Sequence, residues 1–100
     1  MHTEARTLVT IVTESAVERR ITDDLKRIGA HGYTISEARG EGSRGVRSAG
    51  WEASSNIRIE VVCDANTADA IATHLRARYY DHYAMIMFMS EVRVLRPEKF

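Results

Sequence analysis

Apolar and polar positions recur with two different periods along this chain, and the changeovers are marked by glycine, serine and acidic residues. Residues 7–13, Thr-Leu-Val-Thr-Ile-Val-Thr, are short and β-branched and read as a strand. Apolar side chains fall on both of its faces, which predicts burial on both sides. Ser15-Ala16-Val17-Glu18 then has the spacing of a capping box, with Ser15 as the cap. Val17, Ile21, Leu25 and Ile28 follow at intervals of three and four, one stripe of a helix. Gly29 or Gly32 is its expected stop. Residues 33–38 read as a second strand. In 57–63 the alternation is clean: Ile57, Ile59, Val61 and Cys63 face one way, Arg58 and Glu60 the other. Asn66 or Thr67 is the expected cap of a second helix whose inner face carries Ile71, Ala72, Leu75 and Tyr79. A last strand starts near Tyr83 and runs to about Leu95, and Pro97 marks the frayed end. The order predicts an α+β, ferredoxin-like βαββαβ sandwich. Residues 1–100 form a single domain, interrupted only by a flexible loop at 40–56.

That loop breaks the pattern and carries the candidate chemistry. It is longer than the ~12–15 residues beyond which connections are uncommon. Gly40, Gly42, Gly45 and Gly50 lie within it, with Arg44 and Arg47 three apart. Glycine lets backbone N–H groups approach a ligand, and arginine adds fixed charge in a planar fork. Gly42, Ser43, Arg44 and Arg47 therefore form a candidate phosphate cradle. Net charge is zero, so anion binding must be local to this loop. Trp51, the single tryptophan, reads either as packing over the loop base or as an aromatic anchor for a partner. Arg58 and Glu60 read as an exposed pair on one strand face, and Arg58 also reads as a contact for a second small anion.

Several function classes are poorly served. Gly40-x-Gly42-x-x-Gly45 matches a dinucleotide fingerprint in letters, but a strand rather than a helix follows it. No Gly-Lys-Ser/Thr closes a Walker motif. Cys63 is the only cysteine, and His2, His31, His74 and His82 have no ligand spacing, so no metal is expected. The alternation of Met85, Met87 and Met89 reads as core or subunit-interface packing. Tyr79, Tyr80 and Tyr83 read as packing at the helix end. No aromatic lies between Asn56 and Val61 for base stacking, which disfavours RNA. An acylphosphatase would need an anion loop where only Glu14-Ser15 stands. The longest apolar run spans 84–89, far short of the ~20 residues of a membrane helix. The first residues have no apolar stretch of the signal-peptide kind, so the expected location is cytoplasmic.

Gly32-Tyr33-Thr34, then Gly40-x-Gly42-Ser43-Arg44-x-x-Arg47-Ser48-x-Gly50, then Tyr83-Ala84 before the last strand, closely resemble the PII-like signalling proteins of inorganic-carbon metabolism. The resemblance is to the SbtB and carboxysome-associated group and covers roughly residues 8–89. It implies a homotrimer with nucleotide sites in the clefts between subunits, and it makes 40–56 the T-loop. Gly42 and Ser43 would line the phosphate, and Arg44 and Arg47 would hold it. Backbone groups at Met85 and Ile86 would grip adenine. The implied ligands are adenine nucleotides (AMP, ADP, ATP or cyclic AMP), with bicarbonate as a co-ligand, for which Arg58 and Ser48 are the candidate contacts. The implied partner is a membrane transporter for bicarbonate or a related anion, with Trp51 as a candidate contact. No catalytic residue is expected. The alternatives are slow nucleotide hydrolysis, or a trimeric metal-tolerance protein on the same fold. The loop has no tyrosine, so a uridylylation switch is not expected. The chain ends at Phe100 without a cysteine pair, so redox control is not expected either. Met85 stands where the family often has glycine.

Overall fold

The structure, a computed structural model, describes residues 1–40 and 56–100. Strand β1 (Glu4–Glu14) leads through a 3-10 turn (Ser15–Val17) into helix α1 (Glu18–Ile28). Strands β2 (Thr34–Ala38) and β3 (Asn56–Cys63), helix α2 (Ala65–Tyr79) and strand β4 (Met85–Val94) follow. The four strands form one antiparallel sheet in the order β2-β3-β1-β4. This is the expected ferredoxin-like βαββαβ arrangement.

The core lies between one face of the sheet and the two helices. Val9 and Ile11 of β1, and Ile57, Ile59, Val61 and Cys63 of β3, supply the sheet side. Val17, Ile21, Leu25, Ala68, Ile71, Leu75 and Tyr79 cover them. The helical stripe read from the sequence is thus the buried stripe, and the alternation in β3 holds residue by residue. Ala68 is buried more deeply than Ala72, which is half-buried. Full burial of each large aliphatic side chain contributes about 1.5–3 kcal/mol.

Three boundaries differ from the sequence reading, each for a local reason. β1 starts at Glu4 rather than near Thr7, because Glu4, Ala5 and Arg6 pair with Val94, Arg93 and Val92 at the far end of β4. Ser15 does not cap α1. Extended Glu14 takes the cap position of the 3-10 turn, with no side-chain cap bond, and α1 proper begins only at Glu18. The cap of α2 is Asp64, whose carboxylate accepts from the Thr67 N–H at 2.7 Å. Asn66 and Thr67 lie inside the first turn, where Thr67 supplies the donor rather than the cap. At the other end of α1, Gly29 has φ 113, a left-handed conformation that side chains resist. There Gly29 and Ala30 both donate to the carbonyl of Leu25.

Among the described residues no helix covers the second face of the sheet. By register, Leu8, Thr10 and Val12 stand beside Ser90, Phe88 and Ile86 on one side and Val62, Glu60 and Arg58 on the other. Leu8, Val12 and Val62 are half-buried, while Ile86 and Phe88 are 59% and 48% exposed. The expected burial of β1 on both faces is therefore complete on the helix side and partial on this one.

Candidate functional site

Four strand termini meet at one end of the sheet. Ala38 ends β2 and pairs with Asn56, the first residue of β3. Asn56 pairs in turn with Glu14, the last residue of β1. Beside Glu14, Thr13 pairs with Met85, the first residue of β4. The loop at 40–56 therefore leaves β2 and rejoins β3 at the same end of the sheet as the start of β4, with β1 between β3 and β4. Gly42, Ser43, Arg44, Arg47, Ser48 and Trp51 lie outside the described residues. Arg58, Met85 and Ile86 lie within them.

Arg58 and Ile86 share a row across the open face. The row runs Ser36, Arg58, Val12, Ile86, one residue from each strand. Two interstrand spacings place the Arg58 and Ile86 backbones about 10 Å apart. Arg58 Nε donates to Glu60 Oε2 at 3.3 Å, and both side chains are partly exposed. An exposed pair of this kind is worth only about 0–1 kcal/mol, so an incoming anion can compete for the guanidinium at small cost.

Met85 and Ile86 offer different things. The Met85 side chain packs against the core, as do those of Met87 and Tyr83. The Ile86 side chain projects from the open face. β4 is an edge strand, so every second residue presents its backbone N–H and C=O away from β1. A ligand read through main-chain groups needs such an edge.

The residue before β4 is held on both sides of its peptide framework. Thr13 Oγ1 donates to the Ala84 carbonyl at 2.7 Å. The Ala84 N–H donates to Glu14 Oε2 at 2.8 Å. Tyr83 is fixed as well: Arg20 Nη2 donates to its hydroxyl at 2.5 Å, and the guanidinium lies 5.3 Å from the ring centroid. The His82 and Tyr83 N–H groups both donate to the carbonyl of Tyr79, closing the turn that links α2 to β4. Thr13 and Glu14 were not singled out from the sequence. The available signal was a threonine and an acid at the end of a buried strand.

Asp24 was missed too. It is a buried carboxylate between the helices. The Tyr79 hydroxyl donates to its Oδ2 at 2.5 Å, Arg27 pairs with its Oδ1, and His74 Nε2 lies 3.1 Å from Oδ2 at ion-pair distance. Burial pushes the Asp24 carboxyl up, but the bond from Tyr79, the nearby His74 and the Arg27 charge outweigh it and hold the group below its ordinary value. Burial and the Asp24 charge push the Tyr79 phenol up. Tyr79 and Arg27 bond the Asp24 carboxylate and His74 stands at ion-pair distance from it, so the cluster joins the two helices. Cys63 is buried, and burial raises its thiol, which suppresses nucleophilic chemistry. Among the described residues no three His, Cys, Asp or Glu side chains converge as metal ligands.

The nitrogen regulatory protein P-II family matches residues 6–99 of the chain. A crystal structure described as a PII-like signalling protein from Thermus thermophilus is 46% identical, with 100% of this chain and 99% of that one covered and a TM-score of 0.85. The CPII protein of Thiomonas intermedia, a nitrogen regulatory PII-like protein solved with ADP, AMP and bicarbonate, is 24% identical, with 99% and 96% covered and a TM-score of 0.84. The same protein with ADP, AMP and acetate superposes at a TM-score of 0.82, 22% identical, with 100% and 98% covered. At those identities the CPII structures establish likeness of fold.

Proposed function

Because this chain belongs to the nitrogen regulatory protein P-II family, we propose that it is a signalling protein that senses adenine nucleotides and bicarbonate. It acts as a single-domain homotrimer, without catalysis, in the manner of the SbtB and carboxysome-associated group. Gly42, Ser43, Arg44 and Arg47 hold the nucleotide phosphates. Backbone groups at Met85 and Ile86 hold adenine, in clefts between subunits. Arg58 and Ser48 take bicarbonate. The loop at 40–56 acts as the T-loop: phosphate neutralises Arg44 and Arg47, a different loop conformation is selected, and that conformation presents Trp51 to a bicarbonate or related anion transporter. The protein then works in the cytoplasm and reaches the membrane only through that transporter.

The observation that carries this reading is the meeting of the loop ends, Ala38 and Asn56, with the start of β4 at one end of the sheet. The loop ends and the start of β4 share that end of the sheet, with β1 between β3 and β4, and this supports a nucleotide site with phosphates on the loop and the base on β4 in a cleft between subunits. Arg58 lies on the same face, and among the described residues it has a weak ion pair with Glu60 to exchange. CPII, of the same fold, binds ADP, AMP and bicarbonate. Ile86 and Phe88, exposed beside Leu8 and Val12, make the open sheet face the natural surface for further copies of the chain.

Calorimetric titration with AMP, ADP, ATP and cyclic AMP, each with and without bicarbonate, tests it. Micromolar binding of at least one nucleotide is expected. Bicarbonate should change that affinity, and the nucleotide should change bicarbonate affinity by the same factor. Absence of binding under every condition overturns the proposal. Release of phosphate with turnover would move the protein into the enzyme class.

A further inference from the structure

A ligand read by main-chain groups is selected by the pose of the backbone, and the pose is set by whatever holds that backbone. At the entry to β4 the holding groups are side chains of a different strand. Thr13 and Glu14 are consecutive at the end of β1, and they grasp opposite sides of Ala84, one at its carbonyl at 2.7 Å and one at its N–H at 2.8 Å. Thr13 is 2% exposed, and its backbone pairs with Met85, the residue that follows Ala84. The register therefore fixes Met85 while the two side chains fix the residue before it. With both backbone groups of Ala84 engaged, its peptide planes cannot rotate without breaking a hydrogen bond in a part-buried setting, where an unpaired group is costly. The residue before that, Tyr83, is held through its hydroxyl by Arg20.

We infer that Thr13 and Glu14 are positioning residues for nucleotide-base recognition: they set the backbone of 84–86 in the ligand-free protein, so that a purine is discriminated by its edge. This rests on the assignment of adenine to Met85 and Ile86. The base side of the site is then ready before the ligand arrives, and binding does not have to order it. Glu14 also lies at the foot of the loop, paired with Asn56, so one residue touches both the base side and the loop side of the site.

The test compares ADP with GDP by calorimetry on the full chain. The unmodified protein should prefer ADP. Thr13→Val, which keeps shape but removes the donor, and Glu14→Ala should each weaken ADP binding by about 10-fold. They should leave GDP binding little changed, so that the ADP-to-GDP preference collapses. Glu14→Gln keeps an acceptor oxygen for the Ala84 N–H and should retain most of the preference, which a general loss of stability would not predict. If the unmodified protein binds ADP but Thr13→Val and Glu14→Gln both match it in affinity and preference, along with Glu14→Ala, the clamp has no role in recognition and this inference falls alone. If the unmodified protein binds no adenine nucleotide, the functional proposal falls and takes this inference with it.

Discussion

The Tyr79 hydroxyl donates to Oδ2 of Asp24 at 2.5 Å, and this bond ties the last turn of α2 to the buried side of α1. Removing the hydroxyl leaves a buried carboxylate short of a donor. Tyr79→Phe should therefore lower unfolding stability by about 1.5–3 kcal/mol, the range for hydrogen bonds to charged groups. Urea denaturation at neutral pH measures this. A loss below about 0.5 kcal/mol would mean that Arg27 and His74 satisfy Asp24 without it.

The same pair sets a pH window. Asp24 is held below its ordinary value when folded, so its stabilising contribution is present above about pH 4 and is lost as pH falls through the depressed value. Tyr79 is raised when folded, so its contribution is present below about pH 10 and is lost as pH rises through the raised value. Stability measured against pH should fall on both limbs. Asp24→Asn should flatten the acid limb and Tyr79→Phe the alkaline one. Slopes unchanged in both variants would show that other groups govern the titration.

Gly29 offers a purely conformational test. Its φ of 113 is unfavourable for any residue with a Cβ, although a Cβ there would meet nothing within 4 Å. Gly29→Ala should cost about 1–2 kcal/mol through backbone strain alone. An unchanged melting temperature would mean that the helix end rearranges without penalty.

Phe88 tests assembly. It is half exposed on the open face, opposite Thr10. A carboxylate placed there would be buried unpaired if the face is covered by another copy. Phe88→Glu should shift the sedimentation coefficient from trimer to monomer at micromolar concentration. A trimer that survives the change places the subunit interface elsewhere.

Arg44 and Arg47 test the phosphate cradle. Arg44→Ala or Arg47→Ala should each weaken nucleotide binding by about 10-fold or more. A double variant that binds with unaltered affinity would remove both arginines from the site.

Most of the architecture was legible because its signals are local. The stripe Val17, Ile21, Leu25 and the alternation Ile57, Ile59, Val61 each span one element, and each maps onto the buried core. What stayed hidden depends on long-range partners. Asp24 stands three residues after Ile21 and four before Ile28, on the buried side of α1, yet a charge beside an apolar stripe reads as surface until Tyr79 is found 55 residues away. The Thr13 and Glu14 contacts with Ala84 span 71 and 70 residues, and nothing in either sequence neighbourhood announces the other. The caps failed at shorter range. Asp64, Asn66 and Thr67 are all plausible cap residues, and only the turn geometry selects the first. For the site itself, Arg58, Met85 and Ile86 can be placed on the sheet, and the cradle residues between Gly42 and Ser48 lie outside the described part of the chain.

Ala38 and Asn56 are paired neighbours, so everything between them departs from and returns to a single point at the sheet's rim. Such an insertion point is separable from folding. Doubling the length of a flexible connection there adds only about 0.6 kcal/mol of closure entropy. A reporter protein whose own termini lie close together can be spliced between those two residues without threading the core, which gives the scaffold a ready attachment point for an optical biosensor.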